Sequence, residues 1–402
     1  MVVGIDASRA NLEQRTGTEN YSYQMIKHLL ALPEAKRHKW ILYTRENVRL
    51  PYLWTQIGLA ARTWVDGLDV LWIPAHTLPL LRRGFAGLGR PLKTVVTIHG
   101  IEYEWLPAYE NALQRAYLPM STQYAVMSAN RIISVSKFTK GELIRRMGAD
   151  PAKIKVVYEG VSFQISNSKS QISNNNQILN KYNLQKQKYI LFIGTVQPRK
   201  NLARLVKAFG RLRRSDLKLV IAGKLGWSYQ DVLETIKTER LAETVVITGY
   251  VSDADRDVLL HNAVVYVQPS ITEGFGLPVL EAMAAGCPVV SSNGGALAEI
   301  ANSNFPHRAG SRPAGRVPNN FQNGRGRNSS GAEFFLHSST GLRPKFSAKG
   351  DKFSDSAVMF DPFDIDQIAG SLKLVIENSG LRRRLIANGF ERVKEFSWEK
   401  AA

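Results

Sequence analysis

Two glutamates stand eight positions apart in the segment EGFGLPVLE, residues 273–281, with two glycines and a proline between them. An apolar, strand-like run at 263–270 precedes this segment, and an apolar, helix-like run follows it. Pro278 suits the first position of a helix, where its missing N–H costs no hydrogen bond. The N–H groups of residues 275–277 are therefore predicted to point out of a helix start, which favours an anion such as phosphate.

The two carboxylates flank this predicted anion site. Glu273 lies in the turn before the helix, and Glu281 lies near the end of its first turn. A carboxylate near a helix N-terminus is favourable by itself and can be purely structural. A flanking pair can also accept hydrogen bonds from hydroxyl groups on either side of a diphosphate, as a sugar nucleotide requires. The spacing predicts sugar-nucleotide binding, with the structural role as the alternative.

A second loop, GTVQPRKNLARL at 194–205, carries adjacent cations where a strand gives way to a helix. Asn201 is able to cap that helix. Arg199 and Lys200, placed at such a turn, can neutralise a diphosphate without a metal ion. The alternative is an ordinary solvated basic turn.

Two weaker signals lie in the first half of the chain. Gly17 precedes a helix-like segment, and a lone glycine there is weak support for a ligand-binding loop. His99 ends the apolar run TVVTIH, where an imidazole can donate to a sugar hydroxyl or simply satisfy a neighbouring structural group.

The elements that position these residues repeat a strand–helix pattern twice along 402 residues. β-Branched apolar runs alternating with helices are typical of parallel sheets covered on both faces. Ligands of such open sheets bind beyond the carboxyl ends of the strands. The length and a composition break near 163–188 predict two doubly wound domains that present these ends to a shared cleft. The strand-like runs lie at 2–5, 39–44, 69–74, 94–99, 131–136, 153–158, 189–194, 217–223, 244–250, 263–270, 287–292 and 357–362.

The net charge of +19 is unevenly distributed. Residues 164–188 hold four lysines and no acid, and residues 302–355 hold nine basic and three acidic residues. Both segments are poor in core-forming residues, so we predict a low-complexity linker and a disordered insert. A basic arm for an anionic membrane or for acceptor phosphates is the alternative. Nucleic-acid binding is not expected, because no recognition module is visible.

The sequence gives few signs of export or of metal chemistry. It contains one cysteine, Cys287, and no apolar run long enough to span a membrane. The N-terminus lacks the regions of a signal peptide, so a cytoplasmic location is expected. Asp253 and Asp255 form an Asp-x-Asp pair, but Ser252 or Asp253 at this helix start is predicted to be an N-cap. No metal site is predicted.

Three segments resemble the retaining glycosyltransferases of family 4, the glycosyl transferases group 1, which have the GT-B fold. They are RIISVSKFTKGEL, FIGTVQPRKNLARLVKAF and VITGYVSDADRDVLLHNAVVYVQPSITEGFGLPVLEAMAAGCPVVSSNGGALAE. The resemblance implies an α/β protein with two Rossmann-like domains, residues 1–163 on the acceptor side and 189–390 on the nucleotide-sugar side. Residues 391–402 would begin the helix that crosses back to the first domain.

The resemblance also implies roles for the residues at matching positions. Glu273 would hold the transferred sugar, His99 would contact that sugar, and Arg199 with Lys200 would stabilise the departing diphosphate. On the donor side, Glu281 would bind the ribose. The remaining donor-binding positions are expected to orient the sugar and phosphates or to lie beside the base, and they are Phe275, Gly276, Leu277, Gly17, Tyr250 and Val251.

The expected activity is hexosyl transfer, of mannose or glucose, from GDP-mannose or a UDP-hexose to a glycan or lipid-linked acceptor of the cell envelope. No metal or other cofactor is expected. Peripheral contact with the inner face of a membrane is an additional expectation. Two alternatives stay open: a non-catalytic sugar-nucleotide-binding protein of the same fold, and a sugar-nucleotide epimerase.

Overall fold

The computed structural model describes residues 1–12, 15, 17–44, 54–84, 87–104, 112–161, 170–302 and 356–402. Two parallel sheets of six strands form its centre, one in each half of the chain. All twelve strands fall on the runs predicted from the sequence. They are β1 Val2–Asp6, β2 Lys39–Tyr43, β3 Val70–Ile73, β4 Lys93–Ile98, β5 Arg131–Ser134, β6 Ile154–Val156, β7 Tyr189–Ile193, β8 Lys218–Ala222, β9 Val245–Gly249, β10 Val265–Gln268, β11 Val289–Ser292 and β12 Ala357–Phe360.

The helices cover both sheets, which explains the near-continuous apolar strands. A turn of π-helix, Trp54–Leu59, leads into the second helix, and a 3₁₀ turn, Pro198–Lys200, follows β7. The helices are α1 Gly17–Ala31, α2 Ala60–Val65, α3 Ala112–Ser128, α4 Lys137–Met147, α5 Ser170–Lys181, α6 Leu202–Leu212, α7 Gln230–Thr238, α8 Asp253–Asn262, α9 Leu277–Ala284, α10 Leu297–Ala301, α11 Ile365–Glu377, α12 Ser379–Val393 and α13 Trp398–Ala401.

Strand order places a switch point in each sheet. The first sheet runs β2-β1-β3-β4-β5-β6, and the second runs β12-β11-β10-β7-β8-β9. In a doubly wound sheet, the crevice for a ligand opens where the chain reverses direction across the sheet. In the second sheet that point lies between β7 and β10, which pair directly. The loops that leave these two strands carry the predicted cation pair and the EGFG turn.

The segment predicted as a low-complexity linker differs from the prediction. Residues 170–181 form α5, and its Ile178 and Leu179 are buried. Lys181 Nζ and the Tyr182 hydroxyl both donate to Asp255 on α8, each at 2.6 Å. The prediction of a linker was wrong for residues 170–181, because two adjacent apolar residues are enough to pack a polar helix against a neighbouring helix. Residues 162–169 of the segment lie outside the described residues.

The C-terminus crosses back to the first domain. After α12, the Phe396 carbonyl accepts from the Val161 N–H at 3.2 Å, and Trp398 is buried against the Gly160 backbone. Glu399 on α13 lies 3.3 Å from His28 on α1. The residues after α12 thus contact the first domain, and the crossing helix that the resemblance implies stays a prediction.

Two further expectations concern the insert and the membrane. Residues 303–355 lie outside the described residues, so the predicted disordered insert stays a prediction. Among the described helices, none combines the length and the apolar character needed to traverse a bilayer. Cys287 is a free, buried thiol whose pKa is raised by burial.

Candidate active site

The two loops that leave β7 and β10 meet at the switch point of the second sheet. Pro198 opens the 3₁₀ turn that carries Arg199 and Lys200. The Ile271 N–H donates to the Arg199 carbonyl at 2.9 Å, which ties this turn to the loop after β10. The structure therefore brings the predicted cations and Glu273 together from positions more than seventy residues apart.

Glu273 is the centre of this cluster and is 7% exposed. Its Oε1 accepts from Lys200 Nζ at 2.5 Å, from Ser270 Oγ at 2.6 Å and from Gln268 Nε2 at 3.0 Å. Its Oε2 is paired with the Arg199 guanidinium. A carboxylate is stable at such a buried position because cations and hydrogen-bond donors replace the lost water.

The charges of the cluster depend on one another. Burial opposes ionisation of Glu273, but Arg199 and Lys200 outweigh it and lower its pKa to about 2. Burial lowers the pKa of Lys200, with Arg199 beside it as a second cause. The cluster carries one negative and two positive charges, so it presents a net positive charge to the cleft.

Glu102, which follows β4 in the first domain, faces this charge. Burial raises the pKa of its carboxyl, while Arg199 acts in the opposite direction. Its carboxylate lies directly over the Gly100 backbone. The sequence offered no motif for Glu102, so only the fold shows that a carboxyl group of the first domain faces the cations of the second.

The EGFG turn begins α9 in the predicted way. Gly276 is the N-cap with φ +109°, a left-handed conformation that favours glycine, and Pro278 lies in the first turn. The N–H groups of Phe275, Gly276 and Leu277 donate to no backbone carbonyl of the described residues. They are available to an anion at the start of an eight-residue helix.

Two other glycines of the site mark close backbone contacts. Gly274 lies against the His99 carbonyl of the first domain, where a Cβ would collide with the oxygen. Gly295 has φ +65° and packs on the Glu273 backbone, whose carbonyl accepts from the Ala296 N–H at 2.8 Å. The residue types around the turn are therefore set by backbone contact as well as by ligand chemistry.

Glu281 lies apart from Glu273, in a cavity between the two domains. The cavity has a volume of about 200 Å³, and Asn20 and Gln24 of α1 line it opposite α8 and α9. Arg256 NH1 lies 3.5 Å from Glu281 Oε1. Burial raises the pKa of Glu281, and the Arg256 charge opposes that effect.

Arg256 is a site residue that the sequence reading missed. It lies on α8 beside Asp253 and Asp257 as well as Glu281, and its buried Nε atom has no hydrogen-bond partner among the residues that the structure describes. Its position four residues after the cap of α8, in the first turns of that helix, was the available signal.

The His99 imidazole is held by its own domain. Nε2 lies 3.1 Å from the Pro74 carbonyl, and Nδ1 lies 3.3 Å from Glu159 Oε1. The His99 N–H donates to His76 Nε2 at 3.1 Å, and burial keeps the pKa of His76 well below its ordinary value. These contacts fit the structural alternative, and contact with the donor sugar stays a prediction.

Three predicted donor-binding residues lie at the edges of the cleft. Gly17 is the first residue of α1, and no atom of the described residues lies within 4 Å of the position that a Cβ would take. Tyr250 and Val251 follow β9; the Tyr250 ring is 40% exposed, and Val251 is buried. Their contacts with a donor stay predictions.

The Asp-x-Asp pair caps and anchors a helix. Ser252 is the N-cap of α8 and accepts from the Asp255 N–H at 3.1 Å, as predicted. Asp255 binds α5, and Asp253 binds Arg256. In the part of the chain that the structure describes, no group of three His, Cys, Asp or Glu side chains is arranged to hold a metal ion.

Two Rossmann-like domains face one cleft, and a carboxylate paired with two cations lies at the switch point of the second sheet. This is the arrangement of a GT-B glycosyltransferase. Residues 16–164 match the family model described as Glycosyltransferase Family 4, and residues 174–310 match the one described as Glycosyl transferases group 1. The two matches take in well over half of the chain. The chain belongs to this family of glycosyltransferases.

Curated relatives include proteins of O-antigen synthesis. The chain is 27% identical over 314 residues to O-antigen chain mannosyltransferase B of Escherichia coli, covering 76% of this chain and 67% of that protein. It is 26% identical over 218 residues to O-antigen chain mannosyltransferase RfbU of Salmonella typhimurium, covering 54% of each chain. The chain thus spans about two thirds of the first relative and about half of the second.

Solved structures share the fold over the whole chain. Sucrose-phosphate synthase of Thermosynechococcus elongatus superposes with a TM-score of 0.68 at 16% identity, covering 100% of this chain and 96% of that one. HepE of Anabaena in complex with UDP-glucose superposes with a TM-score of 0.64 at 15% identity, with the same coverage. These likenesses confirm the predicted two-domain α/β fold.

Proposed function

We propose that this protein transfers a hexosyl group, mannose in the first instance, from a nucleotide-diphosphate sugar to a glycan or lipid-linked acceptor in cell-envelope polysaccharide synthesis. The observation that carries the proposal is the cluster of Glu273, Arg199 and Lys200 at the switch point, beside the amides of the EGFG turn that open α9. The relatives named as O-antigen mannosyltransferases support mannose and a cell-envelope acceptor.

Binding of a donor would change the ion pairs of the cluster. Arg199 and Lys200 are both paired with Glu273. A diphosphate brings negative charge that competes for these cations, and it meets the amides of Phe275, Gly276 and Leu277. Fixed donors that face the departing diphosphate stabilise the charge that develops there during transfer.

Glu273 would then act on the sugar. As its cations turn to the phosphates, its carboxylate can accept hydrogen bonds from sugar hydroxyls near the anomeric carbon. We propose that Glu281, which lines the interdomain cavity, binds the ribose. Arg256 must release Glu281, or share it, when the ribose binds.

We propose that the anomeric configuration is retained. Retention requires either a carboxylate nucleophile or attack from the face that the diphosphate leaves. Both oxygens of Glu273 are already engaged by four donors, which favours the second route. On that route the leaving phosphate helps to take the proton from the acceptor hydroxyl.

A panel of nucleotide sugars tests this function. The purified protein is incubated with GDP-mannose, UDP-glucose and related donors together with lipid-linked envelope glycans, and products are identified by mass spectrometry. We expect a mass gain of one hexose with one donor, equal in the presence and absence of EDTA. Binding without transfer across the panel would favour the non-catalytic alternative, and donor conversion without acceptor would favour the epimerase.

One face of the first domain supports contact with a membrane. Of the fifteen large apolar side chains that are most exposed among the described residues, nine lie on α2, α3, the turn before α2 and the loop after β3. They are Ile57, Trp64, Val65, Leu80, Leu81, Leu88, Tyr117, Met120 and Met127, which we call the apolar face. An exposed apolar patch of this kind marks an interaction site.

Hydrogen bonds join these segments into one surface. Trp64 Nε1 donates to the Leu81 carbonyl at 2.9 Å. The Gln56 side chain accepts from the Leu80 N–H at 2.9 Å and donates to the Tyr117 hydroxyl at 3.1 Å. Residues 54–93 also hold five basic and two acidic residues. Apolar side chains among excess cations fit an anionic bilayer.

We propose that the apolar face docks on an anionic phospholipid bilayer, where a lipid-linked acceptor resides. The test is co-flotation with vesicles of phosphatidylcholine alone or with phosphatidylglycerol. Trp64→Ser with Leu81→Gln should abolish binding to the anionic vesicles, whereas Leu225→Gln with Leu233→Gln, on the second domain, should not. The proposal would be overturned if both double variants bound the anionic vesicles equally. It would also be overturned if the wild-type protein formed a dimer that Trp64→Ser with Leu81→Gln dissociates, because the apolar face would then be a contact between two copies of the chain.

A further inference from the structure

The start of α4, in the first domain, holds the EGFG turn of the second domain. Ser136 Oγ donates to the Gly274 carbonyl at 2.6 Å, and Thr139 Oγ1 donates to the same oxygen at 3.1 Å. Both side chains are at most 1% exposed. Ser136 also caps α4 by accepting from the Thr139 N–H at 3.0 Å. Because Gly274 follows Glu273 directly, these hydroxyls fix the peptide beside the carboxylate of the site.

A second contact joins the same helix start to α10. Glu299 accepts from the Lys137 N–H at 2.9 Å and from the Phe138 N–H at 3.0 Å, one with each carboxylate oxygen. The Tyr158 hydroxyl donates to Glu299 Oε1 at 2.7 Å. A carboxylate at the start of this 11-residue helix is favoured by the helix dipole and by its hydrogen bonds with two N–H groups of the first turn.

The second domain links this contact to Glu273 through its own backbone. The Ala296 N–H, just before α10, donates to the Glu273 carbonyl at 2.8 Å, and Gly295 packs on the same residue. The Arg392 guanidinium donates to the Glu299 carbonyl at 2.8 Å. Glu273 therefore lies between α10 and α4, and α10 is itself bound to α4 through Glu299.

We propose that Ser136, Thr139 and Glu299 are positioning residues that align Glu273 for transfer only when the two domains are docked. The residues that would bind the donor lie mainly in the second domain, so we expect donor affinity to depend little on the contacts of α4. Docking of α4 then holds the Gly274 carbonyl and sets the Glu273 backbone. The inference rests on the proposed transferase activity for its kinetic part, but the docking of the domains does not depend on it.

The kinetic test separates positioning from binding. Thr139→Val removes one bond to Gly274 and leaves the Ser136 cap in place, and Ser136→Ala with Thr139→Val removes both bonds. We expect kcat to fall by about tenfold to a hundredfold, as for other small misplacements of catalytic groups. The donor KM should stay within about twofold of wild type, and Thr139→Ser should restore kcat because it restores the hydroxyl.

The matched control is Asn378→Ala, which removes the N-cap of α12 at the end of α11 that lies away from the cleft. It should leave both kcat and KM near their wild-type values, although it loses a cap of the same kind. Unchanged kcat in the double variant would overturn the proposal. An equal loss of donor affinity and of kcat would do so too, because it would mean that the hydroxyls maintain binding.

A second measurement needs no activity. Small-angle X-ray scattering of wild type and Glu299→Ala compares the radius of gyration, which should increase in the variant as the domains separate. An unchanged radius would overturn the docking role of Glu299. If the wild type transfers no sugar from any donor, the proposed function fails, and the scattering result still decides whether Glu299 docks the domains.

Discussion

At the scale of single residues, the proposed chemistry depends on one buried carboxylate, Glu273, and its two cations. The spacing of Glu273 and Glu281 indicated sugar-nucleotide chemistry, and so did the adjacent Arg199 and Lys200. The pairing of Glu273 with both cations could not be predicted, because it depends on two loops that meet only in the folded sheet. This pairing also makes Glu273 a stabilising residue, which its place in a glycine-rich turn did not indicate.

The first residue-scale prediction concerns acid stability. The pKa of Glu273 is lowered from 4.5 to about 2 in the folded protein. A lowered pKa stabilises the fold above the unfolded value, and this contribution is lost as pH falls from about 4.5 through about 2. Glu273→Gln should therefore unfold more easily at pH 7, by a few kcal/mol, and should lose less stability on acidification than wild type.

Urea unfolding followed by circular dichroism at several pH values measures this difference. Glu391→Gln, an exposed pair with Lys394, is the matched control and should unfold like wild type. Parallel pH curves for wild type and Glu273→Gln would show that the charge of Glu273 does not stabilise the fold.

A second residue-scale prediction concerns the cation pair. Replacing Arg199 and Lys200 together by Ala removes the charged donors that would face the diphosphate, each worth about 1.5–3 kcal/mol. We expect GDP or UDP to bind at least about a hundredfold more weakly, with a smaller change for the corresponding nucleoside. Calorimetric titration measures both affinities. Lys207→Ala, an exposed charge on α6, should leave them unchanged, and equal losses for diphosphate and nucleoside would contradict the assignment.

At the scale of elements, α5 is where sequence and structure differ most. Its composition of Asn, Gln and Ser predicted a linker, yet Ile178 and Leu179 are buried. We expect Leu179→Ala to cost about 2–5 kcal/mol of unfolding free energy. Thermal and urea unfolding measure this loss, and Gln177→Ala on the exposed face of the same helix is the control. Equal stability of the two variants would mean that α5 contributes no packing.

The other elements show what the sequence can predict. All twelve strands fall on the predicted runs, because buried parallel strands are continuous apolar segments with a strong compositional signal. The cap of α8 at Ser252 was predicted from one residue type and its position. The contact of Glu299 with the start of α4 carries no local signal, since a carboxylate on a short helix has many alternative partners. Contacts between domains are the part of the site that required the structure.

At the scale of the whole molecule, the two domains share one hydrophobic cluster and one cleft, and each domain also has a cluster of its own. Tyr21, Trp72 and Val135 of the first domain belong to the same buried cluster as Phe275 and Trp398. The Phe275 ring lies 6.2 Å from Tyr158 and 6.0 Å from Phe396, between the first domain and the crossing segment. The crossing segment, the contacts between the domains and the EGFG turn therefore pack together. We expect a substitution in any of them to shift the position of Glu273.

The most direct test of the central claim is a single-turnover assay with the donor that the panel identifies. Release of nucleotide diphosphate and transfer of the hexose are followed together in wild type, Glu273→Gln and the Glu391→Gln control. The account predicts that wild type and control transfer the sugar with retained anomeric configuration, and that Glu273→Gln, folded at the assay temperature, is at least about a hundredfold slower. Transfer by Glu273→Gln at the wild-type rate would contradict it.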